Sequence, residues 1–311
     1  MKLSTWSRHE LAERLGKAGV FLHTGPFLSR VRSGIPAVVD GIALLYADYR
    51  VSQQADFADF HIALSRPPSL RRWLRPQVGF EFDGVFPFKP LPLAQALPLL
   101  EWGLNWCIGN HAHQFLIIHA AAIEKDGRAA ILPGPAGAGK STLTAYLVHN
   151  GWRLLSDELA LLSLADGCVT ALARPISLKN QSIDIIERAV PRAIISRRCE
   201  DTAKGTVALL KAPSDSVAQI AETARPAWVI FPRYQQGVAA TFTPRSKADT
   251  LIEVGQNAFN YSIHGKLGFE MLARLMDDCA CYDLSYSDLD QAREIFEALE
   301  PAGALAREAS A

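Results

Sequence analysis

Gly134-Pro135-Ala136-Gly137-Ala138-Gly139-Lys140-Ser141-Thr142 satisfies in full the spacing of glycine, four residues, then Gly-Lys-Ser/Thr (the Walker A pattern). Those residue types in that order make a phosphate cradle. The glycines and alanines let successive backbone N–H groups turn inward, and the helix expected to follow adds partial positive charge at its N-terminus. Lys140 is expected to reach the β- and γ-phosphates, and the Ser141 hydroxyl to ligate Mg²⁺. The context is the one the motif needs: an apolar run, Ala129 to Leu132, enters the loop and a helical pattern from Ser141 to Asn150 leaves it. The reading is a P-loop that binds a nucleoside triphosphate with Mg²⁺.

A second chemistry-bearing pair closes the apolar run at Arg153-Leu154-Leu155-Ser156. Asp157 and Glu158 stand at its end, one helix downstream of Lys140. A carboxylate beside a phosphate loop serves a Mg²⁺–triphosphate, and two adjacent carboxylates can divide the metal and an attacking hydroxyl between them. The strand carrying Asp157 is therefore expected to neighbour the loop's strand. His119 lies on the apolar strand before the loop and is either a core histidine or a site residue. Cations suited to the transferring phosphoryl are Arg174, Lys179, Lys204, Arg233 and Arg245, of which Lys204 and Arg233 are the better placed.

Other P-loop classes are weighed by what the sequence lacks. There is no Asn-Lys-x-Asp for guanine and no Leu-Ser-Gly-Gly-Gln of transporter ATPases. A GTPase and a transporter-type ATPase are thereby disfavoured. One reading left open is a nucleotide-switched module that holds ATP to recruit a partner without phosphoryl transfer.

The elements that must position these residues can be read outward. The chain has 311 residues, 49% apolar and 21% charged, with a formal net charge of zero. Such a balance gives no electrostatic case for nucleic acid or an anionic membrane as partner. The N-terminus has no signal-peptide core, and the most apolar long window, Leu91 to Gly109, is broken by prolines and polar residues. The expected location is the cytoplasm, with the five scattered cysteines reduced. Residues 1–113 read as a small α+β region with no legible chemistry: a helix over 7–17, a hairpin over Val20 to Val31, a helix from Ala37 to Tyr49, strands at Phe57 to Ser65 and Val78 to Phe86, and a helix from Pro98 to His113. The basic segment Leu70 to Arg75 is expected to be a solvated face. Residues 114–300 read as an α/β catalytic domain. It has strands at Phe115 to Ile123, Arg128 to Leu132, Trp152 to Ser156, Leu159 to Ser163 and Trp228 to Phe231, and a polar loop over Arg197 to Thr206. Helices are expected at Lys247 to Tyr261 and Gly265 to Asp278, then a strand at Cys281 to Tyr286 and a helix to Leu299. Residues 301–311 are expected to form a flexible tail.

The order His119, Gly134 to Thr142, then Gly151-Trp152-Arg153-Leu154-Leu155-Ser156-Asp157-Glu158 resembles the HPr serine kinase/phosphorylase catalytic domain. Glu253-Val254, Asn260-Tyr261 and Gly268 resemble that family's late Asn-Tyr segment. The chain is most similar to the HprK-related kinase A group, in Leu104-Asn105-Trp106, Arg174 to Asn180, Asp201 to Gly205 and Phe231-Pro232-Arg233-Tyr234. The resemblance implies a P-loop kinase fold of the HPr kinase/phosphoenolpyruvate carboxykinase type and transfer of the ATP γ-phosphoryl to a hydroxyl. It puts Asp157 and Glu158 in the place of the acidic pair and His119 in that of the active-site histidine. A peptide or protein acceptor, a PqqD-like partner and a homo-oligomer are further implications. Two departures stand out: Glu158 replaces an Asp, and the N-terminal region does not resemble the regulatory domain of the true HPr kinases.

Overall fold

The computed structural model describes residues 1–67 and 75–299 and shows a mixed α/β protein. The basic run from Leu70 to Leu74 and the tail from 301 lie outside the described residues. The chain forms two compact units, each discontinuous: 1–108 with 174–219, and 109–173 with 220–311. The linear boundary drawn near residue 113 thus meets an interleaved chain, in which 174–219 groups with the N-terminal region.

The first unit holds α1 (Arg8–Gly16), β1 (Val20–Thr24), β2 (Phe27–Ser33), α2 (Pro36–Leu45), β3 (Val51–Ser52), β4 (Phe60–Ser65), β5 (Gln77–Phe82), β6 (Leu91–Pro92) and most of α3 (Ala96–His111). Local chemistry sets several of these boundaries. Ser7 and Glu10 close a capping box at the start of α1, and Pro36 sits at the start of α2, where a missing N–H costs nothing. The strands make one sheet in the order β3-β1-β2-β4-β5-β6. From the later segment come β12 (Ile176–Lys179), α5 (Gln181–Ala189), β13 (Cys199–Thr202), β14 (Gly205–Leu210) and α6 (Ser214–Ala218), with the sheet order β12-β14-β13. The stretch Arg197 to Thr206, expected as a polar loop, is largely the β13–β14 hairpin. Thr202 holds its turn by donating to the Gly205 carbonyl, 2.6 Å away.

The second unit contains β7 (Phe115–Lys125), β8 (Arg128–Pro133), α4 (Lys140–Val148), β9 (Arg153–Ser156), β10 (Leu159–Ser163), β11 (Val169–Thr170), β15 (Arg225–Tyr234), β16 (Thr241–Pro244), α7 (Lys247–Gln256), α8 (Tyr261–His264), α9 (Lys266–Asp278), β17 (Ala280–Tyr286) and α10 (Leu289–Glu297). Its eight strands form one mixed sheet, β11-β10-β7-β8-β15-β17-β16, with β9 also on β7. The β7–β8 hairpin turns at Asp126 and Gly127, both at positive φ (53° and 77°), as a tight two-residue turn requires. β8 and β15 then pair in parallel, as do β15 and β17.

β7 organises this sheet. Its Leu116, Ile118, Ala120 and Ala122 share one face, at strand period two, and join a buried cluster with Ile131, Val229, Val254, Leu272 and Leu275. α7 ends at Gln256, earlier than the sequence suggests. The next residues leave the helix to bond β7: the His119 N–H donates to the Asn257 carbonyl (2.8 Å) and the Phe259 N–H to that of Ile117 (2.9 Å).

Candidate functional site

The phosphate loop has the geometry its glycines permit. Gly134, Gly137 and Gly139 sit at φ 140°, 85° and 94°, positions that L side chains resist. Gly139 is the N-cap of α4, and α4 stops before Gly151 at φ 95°. Lys140 is buried, and its ammonium donates to the carbonyls of Gly134 and, at 3.0 Å, of Pro135. The charge is thus already gathered at the first two residues of the loop. Ser141 and Thr142 are half-buried in the first turn of α4.

The loop is braced from the side by β15 and β17. The Tyr234 N–H donates to the Ala138 carbonyl (3.0 Å) and the Tyr286 hydroxyl to that of Gly139 (3.2 Å). Burial, then the nearby Tyr234, push the Tyr286 hydroxyl well above the usual phenol range, so it stays a donor at any physiological pH. A Cβ on Gly139 would lie 2.5 Å from the Tyr286 oxygen, so the loop's last glycine is required by space as well as by φ.

The acidic pair lies two strands from the loop, not one. β9 and β10 both run antiparallel along the same edge of β7, and Asp157 and Glu158 fill the break between them. Ser156 pairs with Ala122 and Leu159 with His119, so the register carries Asp157 opposite Ala121 and Glu158 opposite Ala120. On the other edge of β7, Ala121 and Ala120 pair with Leu132 and Pro133, at the mouth of the loop. This corrects the expectation that the acid-bearing strand neighbours β8. Both edges of β8 are taken, by its hairpin partner β7 and by β15. Two strand spacings are roughly 10 Å, a gap that a metal–triphosphate can span. Both carboxylates are half-buried. Ser156 turns the chain at the break by accepting the Leu159 N–H (3.0 Å).

Sequence reading missed a buried ion pair that ties β9 to β7 beyond the register shift between Ala122 and Ile123. Glu124 on β7 and Arg153 on β9 are directly paired, both buried, and joined by a guanidinium–carboxylate hydrogen bond. The Gly127 N–H (2.5 Å) and the Glu222 carbonyl (3.1 Å) take up further capacity of the pair. A charge inside each of two apolar strands was the available signal.

The remaining candidates divide between the units. Arg233 is exposed near the end of β15, one residue before the Tyr234 that holds the loop, on the flank opposite the acids. His119 is half-buried on β7, paired with Leu159 and 5.4 Å, ring to ring, from Phe259. Asn260 is fully buried and caps β7 like an extra strand: its amide accepts from the Ile117 N–H (2.9 Å) and donates to the Phe115 carbonyl (2.8 Å). Arg245 is bonded to Asp283 (2.8 Å) and Glu253 and lies 4.1 Å over the Phe231 ring.

Arg174, Lys179 and Lys204 belong to the first unit. There Arg174 is buried against Glu101 (3.8 Å) and bonded to Asn105, and Glu101 accepts the Tyr46 hydroxyl. Lys179 is half-buried on β12, and the exposed Lys204 ammonium sits 5.4 Å from the Trp102 ring.

The Ser141 hydroxyl at a helix N-terminus and the half-buried carboxylates of Asp157 and Glu158 are oxygen donors, the kind a hard cation such as Mg²⁺ takes, and by type they fit it. Among the described residues no group of three or more His, Cys, Asp and Glu gathers as a metal site.

One solved structure is matched by this chain. It is the HPr(Ser) kinase/phosphatase from Coxiella burnetii, 11% identical, covering 58% of this chain and 95% of its own, at a TM-score of 0.26. A likeness that faint establishes neither fold nor function. No family model and no curated protein matches the chain. No helix among the described residues is long and apolar enough to cross a membrane.

Proposed function

We propose that the protein is an ATP-dependent phosphotransferase of the HPr-kinase type, which passes the γ-phosphoryl of ATP to a hydroxyl. The observation that carries this reading is the register across β7: the carboxylates of Asp157 and Glu158 on one side, the phosphate loop in the middle, Arg233 on the far side. Nucleotide binding alone needs the loop; a doubled acid opposite it supplies a base as well.

In this reading, backbone N–H groups of 134–142 hold the triphosphate and Lys140 exchanges the carbonyls of Gly134 and Pro135 for phosphate oxygens. Mg²⁺ held by Ser141 and the acidic pair supplies neutralisation of phosphate charge. Asp157 accepts the acceptor's hydroxyl proton as the new O–P bond forms and the bond to the β-phosphate oxygen breaks, releasing ADP. Lys140 and Arg233 steady the charge spread over the equatorial oxygens. His119, beside the acids on β7, positions the acceptor. A PqqD-like partner and self-association enter the proposal through the resemblance alone; co-purification with a tagged chain tests both.

The test is incubation with γ-labelled ATP and cell extract. Label is expected in a discrete acceptor, and Asp157→Asn is expected to retain ATP binding and lose the label. Release of free phosphate alone, across several extracts, sinks the proposal.

A further inference from the structure

A cleft of about 510 Å³ opens beside the phosphate loop, lined by Pro135, Arg245, Asp249, Ile252, Glu253, Gln256 and Asn257. We infer that this cleft receives the acceptor, and that the acceptor is a hydroxyl-bearing peptide segment with basic residues; the inference rests on the phosphotransferase reading above.

Position is the first argument. Pro135 lines the cleft and also offers its carbonyl to the Lys140 ammonium, 3.0 Å away. In a phosphate loop that lysine marks the β/γ end of the triphosphate. The cleft therefore adjoins the end from which the phosphoryl leaves.

Shape is the second. Asp249, Ile252, Glu253 and Gln256 stand at i, i+3, i+4 and i+7, so one face of α7 forms a wall of the cleft. Seven residues of helix span roughly 10 Å, the length of about three residues of extended chain. Ile252 is 57% exposed and gives an extended ligand an apolar contact in the middle of that wall.

Charge decides the chemistry. Arg245 is the one cation of the lining, and its guanidinium is engaged by both Asp283 (2.8 Å) and Glu253. Lys247, on the same helix, donates to the Asp277 carbonyl (3.3 Å). Asp249 is exposed in the first turn of α7. The cleft with Asp283 is left net acidic, on a chain whose formal net charge is zero. Preference for a basic ligand would thus be a property of this surface and not of bulk attraction.

The probes are short fluorescein-labelled peptides with a central serine flanked by Lys, Ala or Glu, added to the full chain loaded with a non-hydrolysable ATP analogue. Anisotropy is expected to show the Lys peptide binding at least about tenfold more tightly than the Glu peptide. Asp249→Lys should bring that ratio to near one or invert it, and Gln256→Glu should raise it severalfold. Equal binding of the peptides, or a ratio that neither variant moves, overturns the inference. Transfer from γ-labelled ATP separates the two readings. Label passing equally to Lys and Glu peptides overturns the cleft and leaves the phosphotransferase. Lys peptides that bind with the expected ratio yet never acquire label overturn the phosphotransferase and leave a peptide-binding cleft.

Discussion

The Tyr286 hydroxyl, buried at the end of β17, donates to the carbonyl of Gly139, the residue that caps α4 at the close of the phosphate loop. A residue nearly 150 positions downstream thereby holds the last peptide of the cradle. Tyr286→Phe is expected to keep the fold, costing about 1 kcal/mol for one neutral hydrogen bond. The larger change should be weaker ATP binding, from a less fixed loop. Titration with a fluorescent ATP analogue checks this. Gly139→Ala faces both the positive φ and the 2.5 Å approach to Tyr286, and should abolish nucleotide binding at the same protein concentration.

Lys140→Met removes the ammonium but keeps much of the apolar stem. If the lysine acts on the leaving phosphoryl group, transfer should fall by about 10²-fold or more, in the range for a preorganised electrostatic contact. Single-turnover measurement with labelled ATP reads this directly. A residual rate within threefold of the parent would remove Lys140 from the chemistry.

Arg153→Met leaves Glu124 buried without its paired guanidinium. Breaking a buried pair from one side costs about 3–5 kcal/mol. A functional signature is expected as well, because the Glu124–Arg153 contact ties β9 to β7 just upstream of the acids, with a register shift between Ala122 and Ile123 separating the pair from them. Denaturant unfolding should show the stability loss. The double variant Glu124→Leu with Arg153→Met should recover much of it, while transfer stays impaired.

Burial lifts the Cys107 thiol to about 12, with Arg174 pulling the other way. Between the unfolded value near 9 and that raised value, the unfolded chain releases the proton more readily than the folded one. The contribution is whole below pH 9 and is lost as pH rises towards 12. The share of Cys107 in folding stability should drop by about 1.4 kcal/mol per pH unit over that window. Cys107→Ala should make the slope shallower by about that amount, the other buried thiols and phenols keeping their own share, as measured by urea unfolding at a series of pH values.

The phosphate loop was legible because its chemistry is local: three glycines, a lysine and a hydroxyl within nine residues dictate a turn and a helix start. The acidic pair was legible as a pair but not in its place, since no local signal shows that β8 is enclosed by β7 and β15. Arg197 to Thr206 hid a hairpin behind polar residues, because its pairing partner, not its own hydrophobicity, makes it a strand. α7 was read too long because Asn257 to Asn260 continue a helical pattern while bonding to β7 instead. The cations of the first unit show the same limit: Arg174 reads as a phosphate ligand by type and is held by Glu101 and Asn105.

The interleaved chain has a consequence for synthesis and for dissection. β8 finds its parallel partner β15 only after about a hundred further residues have been made, and residues 174–219 arrive long after the sheet of their own unit. Closing so long a loop before its contacts form slows folding and leaves strand edges open meanwhile. A fragment cut at residue 113 would lack a whole three-stranded sheet of its unit, and one begun at 114 would carry that sheet as an orphan. Domain-wise expression of this protein therefore calls for replacing 174–219 by a short linker, with the excised segment appended to residues 1–108.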